Sequence, residues 1–151
     1  MIVYVDSSLL ARAYLRDEDG SADARRLLAD CSIARYTGRW TRIEVTGAIV
    51  RAARGGRKIN LPKALGELES DLGTDSARVK VLEPTGEQVE QVEQRALELA
   101  REHGLRALDA LHVALASIWV PPLADKGEPL GFASRDGDQA DVARRLGFER
   151  V

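Results

Sequence analysis

The apolar positions of this chain fall into two patterns, short runs and longer stretches with helical spacing. The short runs are rich in Val, Ile, Leu and Phe, as expected for strands that are buried on both faces in a parallel sheet. The clearest run is Ile-Val-Tyr-Val at residues 2–5. Strands are predicted at residues 2–5, 33–37, 79–82, 130–134 and 148–151.

Between these runs, apolar residues recur every three or four positions, which is the spacing of amphipathic helices. Ser21, Thr41 and Asn60 are predicted to cap helix starts, and glycines such as Gly73 and Gly104 to end helices. Thr85 and Gln88 have the spacing of a capping box before the longest helix. The predicted helices cover residues 8–16, 21–29, 41–54, 60–72, 87–103, 106–119 and 138–146.

The order of these elements predicts the fold class. Strands alternate with one or two helices, which favours a parallel sheet with right-handed crossovers. No internal repeat, low-complexity tract or linker interrupts the pattern, so we expect one α/β domain over residues 1–151. The strand at 2–5 is expected to be central, with its carboxyl end at the edge where open α/β sheets bind ligands.

Composition narrows the class of protein. The hydrophobic fraction of 44% and the charged fraction of 30% are ordinary for a globular domain, and a net charge of −2 indicates no strong overall field. A single cysteine, Cys31, rules out an intrachain disulfide and favours a reducing cytoplasm. With only His103 and His112 beside it, a zinc site of the usual kind is not expected. We find no signal peptide and no membrane-spanning run, so no membrane association is expected.

Four acidic residues lie at positions that a purely structural role explains poorly. Asp6 and Asp136 each follow a predicted strand. Glu44 lies in the first turns of a helix beside an apolar face, and Asp109 interrupts the apolar stripe of another helix. Because the carboxyl ends of adjacent parallel strands lie side by side, we expect these carboxylates to converge.

A convergent set of carboxylates predicts a cation site. Carboxylates a few ångström apart repel one another, and burial increases the cost, so the cluster needs protons or a cation. Oxygen ligands favour Mg²⁺ or Mn²⁺, and such an ion activates water and stabilises charge on a phosphodiester oxygen. We therefore predict Mg²⁺-dependent phosphodiester hydrolysis, with Ser8 and Ser134 hydrogen-bonded to a ligating carboxylate or to metal-bound water.

Each acid also has a structural alternative. Asp6 and Asp136 can cap the helices that follow them, and Glu44 can complement the dipole at a helix start. Asp109 can form a buried salt bridge with Arg106 or with another arginine. These alternatives remain open at the level of the sequence.

Other polar residues near the acids have two interpretations as well. Ser8 and Ser134 fit turns, and His112, one turn from Asp109, is interpreted as a packed helix residue rather than a ligand. A basic run lies at the end of the helix that carries Glu44, and it is either an RNA-binding surface or a solvated helix end. This run contains Arg51, Arg54, Arg57 and Lys58.

Four segments together resemble the PIN domain, and most closely the VapC toxins of bacterial and archaeal toxin–antitoxin pairs. The most specific segment is Leu-Asp-Ala-Leu-His at 108–112, followed by Val-Tyr-Val-Asp-Ser-Ser at 3–8. Ile-Glu-Val at 43–45 and Phe-Ala-Ser-Arg-Asp at 132–136 complete the set in the family's order and spacing. The resemblance extends over essentially the whole chain.

The resemblance implies a fold, an activity and partners. The fold is a three-layer α/β/α sandwich around a short parallel sheet. The activity is Mg²⁺- or Mn²⁺-dependent endoribonuclease action on structured RNA such as tRNA or rRNA, and the partners are a VapB-type antitoxin and a second copy in a homodimer. The antitoxin's C-terminal tail is expected to enter the acidic pocket.

The resemblance also implies roles for individual residues. Asp6, Glu44 and Asp109 match the family's three acidic metal ligands, and Asp136 matches a more variable fourth acid. Ser134 matches the Ser or Thr that often lies two residues before the fourth acid, and Ser8 is matched to the serine that often follows the first acid.

Two other α/β classes fit the sequence less well. A receiver domain requires a lysine after a late strand, and none follows residues 130–134. A haloacid-dehalogenase phosphatase requires a second acid two residues after Asp6, where Ser8 stands. The remaining alternative is a non-catalytic PIN-like module that binds RNA or regulates a partner.

Overall fold

The computed structural model describes residues 1–73 and 77–151. In this part of the chain, six strands form one parallel sheet in the order β3-β4-β2-β1-β5-β6. The strands are β1 (Ile2–Val5), β2 (Ala34–Gly38), β3 (Leu72–Gly73), β4 (Val79–Leu82), β5 (Leu130–Ala133) and β6 (Glu149–Arg150). The helices are α1 (Ser7–Tyr14), α2 (Ser21–Ala29), α3 (Thr41–Arg54), α4 (Leu61–Asp71), α5 (Glu87–His103), α6 (Ala107–Trp119) and α7 (Gly137–Arg145), with a 3₁₀ turn at Pro121–Leu123.

Strand β1 lies at the centre of the sheet, as predicted. Tyr4 is in register with Tyr36 of β2 on one side and with Phe132 of β5 on the other. All four residues of β1 are buried. Beyond the end of the strand, the backbone N–H of Asp6 donates to the carbonyl of Ala133 at 2.9 Å. The residues that follow β1 and β5 are therefore neighbours.

Two hydrophobic cores lie on opposite faces of this sheet. Ile2 and Tyr4 pack with residues of α5, α6 and α7, whereas Val3 and Val5 pack with residues of α1 to α4. This alternation is the two-residue period of a strand that is buried on both sides. The molecule is thus the three-layer α/β/α sandwich that the resemblance to the PIN domain implied.

Most helix boundaries match the prediction, but two predicted caps are wrong. Helices α2 and α3 begin at Ser21 and Thr41 themselves, after Gly20 and Trp40. Gly20 has φ +77°, which glycine adopts without the steric cost of a Cβ, so the turn before α2 needs no side-chain cap. The buried hydroxyl of Thr41 instead lies 2.7 Å from the hydroxyl of Thr37.

Two other predicted caps are observed. The side chain of Asn60 accepts a hydrogen bond from the backbone of Lys63 at 3.2 Å. Gln88 accepts from the backbone N–H of Thr85 at 3.1 Å, as in a capping box, although α5 is preceded by Gly86. Both contacts satisfy donors at the start of a helix.

One strand is absent from the prediction. Leu72 was expected on the inner face of a helix, but α4 ends at Asp71 and Leu72 pairs with Val79 in the short strand β3. Leu72 lies four residues after Leu68, a spacing that fits a buried position both in a helix and in a strand. The apolar pattern alone therefore did not show where the helix ends and the strand begins.

No helix in residues 1–73 and 77–151 has both the length and the apolar character needed to cross a bilayer.

Candidate functional site

The candidate site lies where β1 and β5 end. Asp6 is 3% exposed, and its Oδ2 accepts a hydrogen bond from the backbone N–H of Ser8 at 3.0 Å. The hydroxyl of Ser134 lies 3.2 Å from the same oxygen. Asp6 therefore caps α1, which was the structural alternative, and its second oxygen, Oδ1, contacts other residues of the site.

Asp136 divides its two oxygens in the same way. Its Oδ1 accepts from the backbone N–H of Gln139 at 3.0 Å and caps α7. Its Oδ2 accepts from Nη2 of Arg106 at 2.9 Å. A capping role and a position in the site are thus compatible for both strand-end acids.

Asp109 shares the guanidinium of Arg106 with Asp136. Nε of Arg106 donates to Oδ2 of Asp109 at 2.9 Å. The salt bridge that the sequence offered as an alternative for Asp109 is therefore present, but it is not buried, because the Arg106 side chain is 79% exposed. The arginine lies over the mouth of the site and joins α6 to the start of α7.

The pKa of Asp109 reflects both its burial and the carboxylates around it. Burial raises this pKa above its ordinary value, and the charges of Asp136 and Asp6 raise it further. The hydrogen bond and the charge of Arg106 offset only part of this effect. Three of the four predicted acids thus repel one another in the folded chain.

Glu44 is joined to Asp6 through a buried histidine. Nε2 of His112 lies 2.9 Å from Oε2 of Glu44 and 3.6 Å from Oδ1 of Asp6. Carboxylates only accept hydrogen bonds, so Nε2 carries a proton and donates it. His112 is 1% exposed, so the prediction of a packed residue is right about its burial and incomplete about its contacts.

Tyr4 contacts the other side of this imidazole. Its hydroxyl lies 2.7 Å from Nδ1 of His112. Burial, together with the charges of Asp6 and Glu44, raises the pKa of Tyr4 well above its ordinary value, so the hydroxyl keeps its proton.

The same charges act on the imidazole. Burial opposes the charged form of His112, but the hydrogen bond to Glu44 and the neighbouring carboxylates outweigh it, and the pKa of His112 is raised. The carboxylates of Asp6 and Glu44 thus favour the protonated form of the imidazole.

Gln139 is a residue of the site that the sequence analysis missed. It is completely buried, and its Nε2 donates to Oδ1 of Asp6 and to the backbone carbonyl of Asp109, both at 3.3 Å. Because these partners only accept, Oε1 must face Ser134, whose hydroxyl lies 2.5 Å away. The sequence does carry a signal for Gln139. It lies four residues before the buried Ala143, so it is a polar side chain on the inward face of α7.

The two predicted serines form a second contact between β1 and β5. Oγ of Ser8 accepts from the backbone N–H of Arg135 at 3.0 Å and lies 3.4 Å from Oγ of Ser134. Ser8 thus fixes the turn after β5, and Ser134 contacts the carboxylate of Asp6 directly.

The basic run does not form one surface beside the acids. Arg51 and Arg54 are exposed in the last turn of α3, and Arg54 lies about 15 Å along the helix from Glu44. Arg57 is bound by Asp17 and by Glu18, the latter at 3.0 Å. The positive charge of Arg57 is therefore already neutralised by Asp17 and Glu18.

The donor chemistry of the site fits a hard divalent cation, although the present arrangement does not gather the donors around one point. Within the described ranges, no three Asp, Glu, His or Cys side chains are grouped closely enough to hold a metal ion. The side chains of His112 and Arg106 lie between the carboxylates instead. A cation that binds Asp109 and Asp136 would take over contacts that Arg106 now makes.

Comparisons with known proteins agree with this architecture. The sequence model of the PIN domain matches residues 3–145, which include all four acids. Among solved structures, the chain is similar to a crystal structure of VapBC2 from Rickettsia felis bound to a DNA fragment from their promoter. The identity is 13% and the TM-score 0.59, with 100% of this chain and 98% of that chain covered, so the likeness is one of fold. No curated protein matches the sequence.

Proposed function

Since the chain belongs to the PIN domain family, we propose that it is a divalent-cation-dependent endoribonuclease, the toxin of a VapBC-type toxin–antitoxin pair. Its proposed substrate is structured RNA, such as tRNA or rRNA, in the cytoplasm, where cleavage inhibits translation and growth. We also propose that residues 1–151 form one domain and that two copies of the chain form a homodimer.

The observation that carries the proposal is the convergence of acidic side chains from distant parts of the chain. Asp6 and Asp136 follow neighbouring strands, and Asp109 is close enough to both for their charges to raise its pKa. Glu44 is linked to Asp6 through one imidazole. Such repulsion needs compensation, of which Arg106 supplies a part, and a bound cation would supply the rest.

We propose that Asp6, Glu44, Asp109 and Asp136 hold Mg²⁺ or Mn²⁺. When bound, the cation would supply a polarised water as nucleophile and would stabilise negative charge on the phosphodiester. The protein's own residues hold the ligands in place: Ser8, Ser134 and Gln139 orient Asp6, and His112 orients Glu44. This support resembles the outer hydrogen bonds that fix metal-binding carboxylates in general.

The mouth of the site suits a partner segment that is both apolar and basic. Ile43 and Leu108 are 75% and 45% exposed, and each is adjacent in sequence to an acid of the site, Glu44 or Asp109. Exposed apolar residues beside negative charge favour a cationic amphipathic segment. We propose that an antitoxin binds here, which is consistent with the VapBC2 complex to which the fold is similar.

A non-catalytic RNA-binding module remains a second candidate, because Arg106 already neutralises part of the acidic cluster and His112 already occupies an oxygen of Glu44. Brief expression in a bacterial host, followed by sequencing of RNA 5′ ends, separates the two candidates. The nuclease proposal predicts growth arrest with new 5′ ends at defined positions, and relief of both by Asp6→Ala. Equal arrest by the Asp6→Ala variant, or arrest without new ends, would favour the second candidate.

A further inference from the structure

Three guanidinium groups line one cavity beside the acidic site. Arg12 comes from α1, Arg135 from the turn after β5, and Arg150 from β6, and the cavity has a volume of about 510 Å³. Ser134 lines the same cavity, and its hydroxyl is 3.2 Å from Oδ2 of Asp6. The cavity therefore shares a wall with the acidic site.

Two of these arginines have no acidic partner in the part of the chain that the structure describes. Arg12 and Arg150 make no side-chain hydrogen bond or salt bridge there, and Nε of Arg12 is a buried donor without an acceptor. Two positive charges without an acidic partner favour an anion in the cavity that they line.

The acids near the cavity are already neutralised. Asp23 also lines the cavity, but it forms a salt bridge with Arg26. Glu18 accepts from Arg135 and from Arg57, so it is shared between two cations. The local balance of charge is thus positive, in contrast to the neighbouring acidic site and to the net charge of −2 of the whole chain.

We infer that this cavity binds a phosphodiester group of the RNA strand close to the bond that is cleaved. The inference rests on the proposed function and adds a substrate-binding site to it. An acidic site repels a polyanion, so the strand needs cations on either side of the cleaved bond. Arginine suits this task because its planar fork donates two hydrogen bonds to one phosphate. The apolar side chains of Leu9 and Leu27 give the adjoining ribose a surface to pack on.

This site differs from the basic run at the end of α3. Arg57 of that run is bound by two acids, and Arg54 lies in the last turn of α3, whereas Glu44 lies in the first. Arg12 and Arg150 instead line a cavity that includes Ser134, whose hydroxyl contacts Asp6.

The test measures RNA binding by a chain that does not cleave. A fluorescent single-stranded RNA is titrated with the Asp109→Asn chain in EDTA at several salt concentrations, with anisotropy as the readout. Adding Arg12→Gln or Arg150→Gln should weaken binding about fivefold at low salt. Each should also make the slope of log K against log[salt] shallower by about 0.7, the value for one phosphate contact on a single strand.

Control variants separate charge from fold. Arg12→Lys keeps the charge and should keep the salt slope. Arg101→Gln removes an exposed arginine of α5, on the opposite layer, and should leave both affinity and slope unchanged. Thermal unfolding checks each variant, and if Arg12→Gln does not fold, the exposed Arg150→Gln carries the test alone.

The outcomes distinguish this inference from the proposed function. Unchanged affinity and slope in the folded Arg12→Gln and Arg150→Gln chains would overturn the inference, while RNA cleavage by the unmodified chain would still support the nuclease. A poly-glutamate peptide that displaces RNA as effectively as unlabelled RNA does would assign the cavity to an acidic protein segment and would also overturn it. Absence of both RNA binding and RNA cleavage would overturn the two together.

Discussion

Arg106 donates a hydrogen bond from Nε to Oδ2 of Asp109 across 2.9 Å, although its side chain is 79% exposed. The same guanidinium reaches Asp136, also at 2.9 Å. An exposed arginine is held there by charge rather than by packing, and a divalent cation would compete for the same oxygens.

The competition predicts the effect of Arg106→Gln on cation affinity. Removing the positive charge that binds Asp109 and Asp136 should increase Mn²⁺ affinity about tenfold. Without metal, the variant should melt at a slightly lower temperature, because the carboxylates lose their counterion. A series of melting curves over Mn²⁺ concentration measures both effects.

Arg16→Gln is the matched control for this experiment. Arg16 also donates to a carboxylate, that of Glu67 at 3.1 Å, and is largely exposed, but it lies outside the site. It should leave the Mn²⁺ dependence unchanged. Equal Mn²⁺ affinities for Arg106→Gln and the unmodified chain would refute the competition.

Gln139→Leu should destabilise the protein and misplace Asp6. The substitution replaces the amide with an apolar group of similar size, so the hydroxyl of Ser134 and the carbonyl of Asp109 lose their contacts with Gln139. The expected loss is about 2–3 kcal/mol in the free energy of unfolding, measured by urea denaturation.

A comparison variant tests whether the loss comes from these contacts. Gln94→Leu removes an exposed glutamine of α5 whose amide nitrogen, among the residues that the structure describes, donates only to Glu98, and it should change stability little. A Gln139→Leu chain as stable as the original would contradict the hydrogen-bond network described for the site.

Tyr4→Phe isolates the contact with His112. The ring should keep its stacking on Phe132, with centroids 5.4 Å apart, while the hydroxyl that lies 2.7 Å from Nδ1 of His112 is lost. We expect a loss of about 1–2 kcal/mol in the free energy of unfolding, because the imidazole nitrogen is left buried without a partner.

Tyr36→Phe serves as the reference for that measurement. Tyr36 occupies the position in β2 that pairs with Tyr4, but its hydroxyl makes no side-chain hydrogen bond in the described part of the chain. It should cost little stability. Equal losses from the two substitutions would mean that the hydrogen bond to His112 contributes nothing.

The sequence predicted where the acids lie in the fold, because the signals for those positions are local. Asp6 and Asp136 follow strands whose apolar runs are unmistakable, and Asp109 breaks an apolar stripe. The fold class followed for the same reason, since periodicity identified the main strands and helices. The short strand β3 was not predicted, because Leu72 fits both a helical and an extended pattern of apolar residues.

The links between the acids could not be predicted from local signals. Gln139 contacts Asp6 across 133 positions of sequence, and Tyr4 contacts His112 across 108. Such contacts depend on how α6 and α7 pack against the sheet, which periodicity does not specify. The position of Arg106 between Asp109 and Asp136 is of the same kind, because it depends on the approach of two helix starts.

RNA cleavage by this protein is proposed to require a cation that the converging carboxylates bind. The Asp109→Asn variant is the most direct test, because it lacks one of these carboxylates. The substitution removes one charge without a large change of volume, and since burial raises the pKa of Asp109, a neutral side chain should be well tolerated by the fold. Purified wild-type and Asp109→Asn chains are incubated with structured RNA in Mg²⁺ or in EDTA. We predict cleavage only by the wild-type chain in Mg²⁺, with both chains equally folded by thermal melting. Undiminished cleavage by the Asp109→Asn chain, or by the wild-type chain in EDTA, would contradict the account.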